Sequence, residues 1–366
     1  MEELINSQED KTLRAIGEKV LSGKRISPQE ALELFKSKDL GYICALAEHI
    51  NKQKNSSFAY FVLNMQINPT NICIYSCSFC AFGVKKSDPK SYELSEEEIL
   101  NKVSFAKSLG IREIHMVGGI PPHWEYNHYI NLTKAIKQHS PEIILKAWTA
   151  VEIHHMSKIS SKSHKEILKE LKDAGLDALP GGGAEIFSQR VREIIAPFKA
   201  GKDEYLDIHE SAHRLGIPSN ATMLYGHVET YEERVQHLKA IRDLQDKTDG
   251  FQVFIPLAYW PEGTNLGGRR TSSVDDIKTI AISRIFLDNF NHIKAYWVTL
   301  GERVAQVALN CGADDLDGTI LEEKIVHSAG TTSPISQSKE KLIELIKGAG
   351  KIPVERDTFY RPICIH

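Results

Sequence analysis

A chain of 366 residues, 42% of them hydrophobic, can bury one large core or two medium ones. Charged residues make up 25% and nearly cancel, to a formal net charge of −3, which argues against the basic excess of a nucleic-acid binder. The acidic start Met1-Glu2-Glu3-Leu4-Ile5 lacks the basic and apolar regions of a signal peptide, and no run reaches about 18 apolar residues, so a soluble, cytoplasmic protein without a membrane span is expected.

Residues 1–57 read as a helical extension. Ser27-Pro28-Gln29-Glu30 is a helix start, with Ser27 as N-cap, Pro28 in the first position and Glu30 closing a capping box. From 58 to 330 short β-prone runs alternate with amphipathic helical stretches. The predicted strands are 59–67, 113–117, 144–150, 178–179, 221–224, 252–256 and 293–298, with 319–321 as a weak eighth. Helices are predicted between them, among them 95–109 behind an N-cap at Ser95, 165–174 and 232–244. This alternation predicts an α/β fold, a TIM-type β/α barrel, with a doubly wound open sheet as the alternative. Residues 331–366 read as a C-terminal helix and tail packed on the barrel.

A barrel carries its chemistry at the C-terminal ends of its strands. The distinctive residues fall there: Cys73 to Cys80 after the first strand, Gly118-Gly119 after the second, Gly181-Gly182-Gly183-Ala184-Glu185 after the fourth, and Asn220 to His227 across the fifth. Six cysteines in a chain this long do not make a disulfide scaffold. Cys44, Cys311 and Cys364 stand alone and read as buried or inert thiols, whereas Cys73, Cys77 and Cys80 share the spacing C-x3-C-x2-C. Thiolates ligate iron–sulfur clusters, usually four to a cubane, so three leave one iron open to a small molecule. A zinc site completed by a distant His such as His115, and three merely buried cysteines, are the other readings.

The motif resembles the signature of the radical S-adenosylmethionine superfamily. The resemblance implies a 4Fe-4S cluster on Cys73, Cys77 and Cys80, with Phe79 near the adenine of S-adenosyl-L-methionine. Val117-Gly118-Gly119-Ile120 is similar to a Gly-Gly-Glu segment that meets the methionine amine, with Ile120 in place of the acid. Glu185 and Arg192 match the ribose and carboxylate contacts, Arg190 is the rival of Arg192, and Thr149 is a further cofactor candidate.

Longer segments resemble the aminofutalosine synthase family of the futalosine route to menaquinone. They include residues 147–153, 179–186, 220–227, 251–257, 287–297, 312–319 and 355–360. Asp314-Asp315, where related cyclases more often carry Asn-Asp, favours the synthase; Pro121 departs from a frequent His. The implied reaction adds the 5′-deoxyadenosyl radical to the double bond of 3-[(1-carboxyvinyl)oxy]benzoate, with S-adenosylmethionine consumed and a flavodoxin- or ferredoxin-type protein as electron donor. The substrate's two carboxylates call for donors at the barrel mouth. Thr222 and His227 are the first candidates, followed by Asn220, His292, Arg269 and Arg270. Asp314, Asp315 and Asp317 read as a polar turn or a cation site. A dehypoxanthine futalosine cyclase and a non-catalytic iron–sulfur or zinc protein are the alternatives.

Overall fold

A computed structural model describes all 366 residues. Its strands are β1 (Phe58–Val62), β2 (Asn64–Ile67), β3 (Glu113–Met116), β4 (Ile144–Ala147), β5 (Ser219–Tyr225), β6 (Phe251–Ala258), β7 (His292–Ile293), β8 (Asp315–Gly318), β9 (Ile352–Arg356) and β10 (Pro362–Ile365). β2, β3 and β4 pair in parallel, as do β5, β6 and β7. Single bridges carry the ring onward: Lys146 to Ala178, Leu179 to Ser219, and Lys294 to Asp315. β8 then pairs with β1, and the Gln66 amide donates to the Ile320 carbonyl at 2.6 Å, which closes the barrel against β2. The β/α barrel is therefore present, and the open sheet is not.

The predicted 144–150 strand ends at Ala147, where Thr149 caps the next helix, and 178–179 is a pair of isolated bridges; three other strands differ further. The predicted 59–67 strand breaks at Leu63, because β1 is shared with β8 and β9 while β2 pairs with β3. The predicted 293–298 strand is only two residues of β7; Trp297–Leu300 turns helical, with Trp297 Nε1 donating to Gly318 O at 3.0 Å. A short apolar run does not distinguish strand from buried helix. The eighth strand is Asp315–Gly318, just before the predicted 319–321. Its Asp and Gly residues are poor strand formers, held here by ion pairs: Asp315 with Arg356 at 2.6 Å and Asp317 with Lys294 at 2.8 Å. Asp314 pairs with buried Arg284 at 2.5 Å. The three aspartates are thus partners of barrel cations, neither a loose turn nor a cation site.

Helices cover the ring. The Ser27 and Ser95 capping boxes form as predicted. The predicted helices appear as Glu96–Ser108, His164–Asp173 and Tyr231–Thr248. Four helices between Glu2 and Asn55 pack on the outer layer. Their Leu34, Phe35, Ile43 and Leu46 join the same hydrophobic core as the barrel, and Lys278 Nζ donates to the Phe35 and Ser37 carbonyls. The tail after Gly350 forms β9, parallel to β1, and β10, antiparallel to β9. No helix is long and apolar enough to cross a membrane.

Candidate active site

The C-terminal ends of the strands surround one cavity of about 330 Å³. The loop after β2 brings all three clustered cysteines to its wall. That loop is pinned on both sides. Asn71 bonds to Lys90 and Tyr92, the Cys73 amide donates to Val84 O at 2.9 Å, and the Ser78 amide donates to Ile195 O at 2.9 Å. Gly118 and Gly119 lie directly behind it. A Cβ on Gly119 would stand 2.2 Å from the Ile72 carbonyl oxygen, and one on Gly118 would stand 2.9 Å from Thr70 O. The two glycines are there because backbone meets backbone.

The thiols suit a cluster. A Cβ on Gly83 would lie 3.8 Å from Cys80 Sγ and 4.0 Å from Cys73 Sγ, so a bare glycine leaves a cradle between two sulfurs. The Gly83 amide donates to Cys80 Sγ at 3.4 Å. Burial pushes the Cys77 thiol up to about 11 and raises Cys80 as well. Such thiols become thiolates only with a cation to replace their protons. No three His, Cys, Asp or Glu side chains converge closely enough to hold a single metal ion. All three cysteines and His115 line the same cavity.

Phe79, Thr149 and Glu185 also line the cavity. Thr149 caps helix Ala150–Ser160. Glu185 sits at φ 44° and is ion-paired with Lys199, whose ammonium lies 5.2 Å from the Phe79 ring centroid. Burial opposes the charge of Glu185, but Lys199 holds its carboxyl below the usual range.

Neither candidate arginine faces the cavity. Arg192 is buried beside it, donating to the carbonyls of Ala184 and Ala200. Arg190 projects outward and pairs with Glu233 at 2.7 Å. The cavity cation is Lys199, in a segment with no motif to mark it.

The substrate candidates divide. Thr222 and Asn220 line the cavity on β5, with Thr222 Oγ1 donating to Gly181 O at 2.7 Å. His227 does not reach it. Its side chain is fully buried in the loop after β5, with Nε2 donating to Leu224 O at 3.1 Å and Nδ1 accepting from the Val228 amide at 2.7 Å. Burial lowers its pKa, against the pull of the Glu229 carboxylate 3.0 Å from Nδ1. His292 begins β7, at the wrong end of the strand, stacked on Tyr360 at 3.8 Å. Arg270 is at the rim, over Trp260 at 3.5 Å and paired with Glu262 at 2.8 Å, and Arg269 is exposed.

Gln66 and Glu152 join the wall unannounced, and His115, named above only as a possible zinc ligand, joins it too. Gln66 and His115 stand in register on β2 and β3, with Gln66 Oε1 and His115 Nε2 buried without partners. The alternation of a strand could have marked both as inward-facing. Glu152 was visible only as the last residue of a capping box.

A model of the radical SAM superfamily matches residues 67–241, and one of the CofH/MqnC C-terminal region matches 248–365. The chain is 46% identical to aminodeoxyfutalosine synthase of Thermus thermophilus, over 97% of both chains. It is 37% identical to cyclic dehypoxanthine futalosine synthase of Streptomyces coelicolor, over 97% of this chain and 90% of that one. The crystal structure of methylornithine synthase aligns over 93% of this chain and 97% of its own with a TM-score of 0.74; at 18% identity that likeness concerns the fold alone. Identity this high over nearly the whole length, on a barrel with three cysteines at its mouth, shows that the chain belongs to the radical S-adenosylmethionine superfamily and, within it, to the family of aminodeoxyfutalosine synthase and its relatives.

Proposed function

We propose that this enzyme joins C5′ of the adenosyl group of S-adenosylmethionine to the vinyl carbon of 3-[(1-carboxyvinyl)oxy]benzoate as the C5′–sulfur bond breaks, that the aryl group then migrates from the ether oxygen to the adjacent carbon, and that the enolpyruvyl carboxylate leaves as carbon dioxide with return of the electron, giving aminofutalosine (6-amino-6-deoxyfutalosine) in menaquinone synthesis from chorismate. The observation that carries the proposal is one continuous cavity lined both by the three clustered cysteines and by apolar side chains that include Ile255, Leu257 and Val326. The 46% identity to an aminodeoxyfutalosine synthase supports the synthase reading, and the substrate is the one which that reading implies. A 4Fe-4S cluster held by Cys73, Cys77 and Cys80 supplies, when bound, the electron that cleaves the sulfonium. A flavodoxin- or ferredoxin-type protein is the proposed donor.

The protein's own part is placement. Phe79 offers a face to the adenine, Lys199 and Glu185 offer a cation and an anion to the polar groups of the nucleoside and methionine, and Gly118-Gly119 let the backbone come close. Lys199 is the one cation lining the cavity. The substrate carboxylates therefore fall to neutral groups, with Asn220 and Thr222 the best placed. Holding the carbons at a near-attack distance of about 3–3.5 Å is worth up to roughly 7–11 kcal/mol in well-oriented reactions.

The cyclase reading is favoured by a 37% identical relative. Adenosine-labelled S-adenosylmethionine, supplied with the enolpyruvyl benzoate and a reductant, separates the two. The synthase leaves one label in each product molecule and forms methionine in equal amount. Label solely in 5′-deoxyadenosine, with turnover of dehypoxanthine futalosine, would replace the synthase by the cyclase.

A further inference from the structure

A buried charge ordinarily has an opposite charge beside it. Of the four carboxylates that line the cavity, Asp317 is paired with Lys294 and Glu323 with His327, and the other two are matched differently. Glu185 is ion-paired with Lys199. Glu152 is 2% exposed and its hydrogen-bond donors are all neutral. Its Oε2 accepts from the Thr149 amide at 2.7 Å and the Thr149 hydroxyl at 2.8 Å. Burial pushes its pKa up to about 7 despite those donors and the charge of Lys199, which acts on it without forming an ion pair and is itself paired with Glu185. A capping glutamate normally sits at a solvent-exposed helix start. Here the helix start faces a cavity, and the carboxylate joins the wall beside Gly118.

The neighbourhood narrows what could complete it. Ile120, after the two glycines, is apolar and buried, so the loop behind the cysteines supplies no charge of its own. S-adenosylmethionine carries a sulfonium and an ammonium, and Glu185 is already matched within the protein. We propose that Glu152 is the counter-ion for the positive charge of the methionine end of S-adenosylmethionine, in the place an acid at position 120 would have filled. The assignment rests on the proposed use of S-adenosylmethionine in this cavity.

The discriminating variant is Glu152→Gln. Glutamine also closes a capping box, so the helix start is kept while the charge is lost. Dissociation constants are measured on iron-loaded protein for S-adenosylmethionine, for S-adenosylhomocysteine, which lacks the sulfonium, and for 5′-methylthioadenosine, which lacks both charges. Thermal midpoint and iron content are expected to stay as in the parent. The S-adenosylmethionine dissociation constant should rise roughly ten- to hundredfold, as for loss of a hydrogen bond to a charged group. Methylthioadenosine should bind unchanged, and Glu152→Asp should recover part of the loss. Weakened S-adenosylhomocysteine assigns the contact to the ammonium, and unchanged S-adenosylhomocysteine assigns it to the sulfonium. Equal S-adenosylmethionine affinity in parent and Glu152→Gln, or equal losses for it and methylthioadenosine, would overturn the role of Glu152. A parent that loads iron yet binds no S-adenosylmethionine would overturn the cofactor reading beneath it as well.

Discussion

At the scale of residues, the cysteines are distinguished by where they stand. Cys73, Cys77 and Cys80 line the cavity, whereas Cys311 is buried against Cys44 and Cys364 is exposed. Reconstituted protein is expected to hold about four irons per chain. Cys77→Ala should lose most of them, while alanine at Cys44, Cys311 or Cys364 should not; iron analysis decides. Lys199 and Arg192 make a second contrast. Lys199→Gln removes the cavity's cation and should weaken S-adenosylmethionine binding by about 1.5–3 kcal/mol. Arg192→Ala instead strands the carbonyls of Ala184 and Ala200, and its main effect should be a lower thermal midpoint. A binding loss in Arg192→Ala larger than in Lys199→Gln would reverse the assignment. Thr222→Val removes a hydroxyl from the cavity wall and should divert turnover toward free 5′-deoxyadenosine, measured by chromatography against labelled product.

Among the elements, the decisive one is the loop between β2 and the Val84 turn. It has no regular structure, yet its backbone is bonded to residues 84, 120 and 195. Gly119 is where this arrangement has no slack. Gly119→Ala would push a methyl against the Ile72 carbonyl, and overpacking of this kind typically costs about 1–3 kcal/mol. The expected result is a displaced cysteine loop, read as poor iron retention at a nearly normal far-ultraviolet dichroism spectrum. Iron retention equal to the parent would show that the loop yields. The loop after β5 is held differently, by His227 between Leu224 and Val228, so a substitution there should act through loop order before it acts on substrate.

For the whole molecule, the barrel is secured by its tail. β9 lies beside β1, and Arg356 reaches Asp315 on β8, both side chains at most 1% exposed. Breaking such a buried pair from one side costs about 3–5 kcal/mol. Arg356→Met should therefore lower the denaturation midpoint strongly, and removal of residues 351–366 should prevent folding. Acid should act on the barrel as well. Burial pushes His213 down to about 4 and His237 to about 3, against about 6.5 in an unfolded chain. Their folded-state pKa values are depressed, so the unfolded chain takes up protons first. The stability they contribute is complete above about pH 6.5 and is lost as pH falls toward their folded values. The thermal midpoint should be level above neutrality and decline below about pH 6.5; a rise on acidification over that range would contradict the neutral assignment.

Alternating strand and helix, capping boxes at Ser27 and Ser95, and C-x3-C-x2-C were legible in the sequence because each depends on near neighbours in the chain. They determined the barrel, its helices and the cysteine wall. The Leu63 break, the pairing of β9 with β1 and the strand Asp315–Gly318 were not legible, because their partners lie far away in sequence: Ile352, Arg356 and Lys294. The same holds at the site. Local order put Thr222 and His227 on one strand and its following loop, but only packing turned one into the cavity and the other away from it. Lys199 and Glu152 carried no signal of their role, since a cavity brings together side chains from separate strand ends, and which charges lack partners there is decided when the barrel closes.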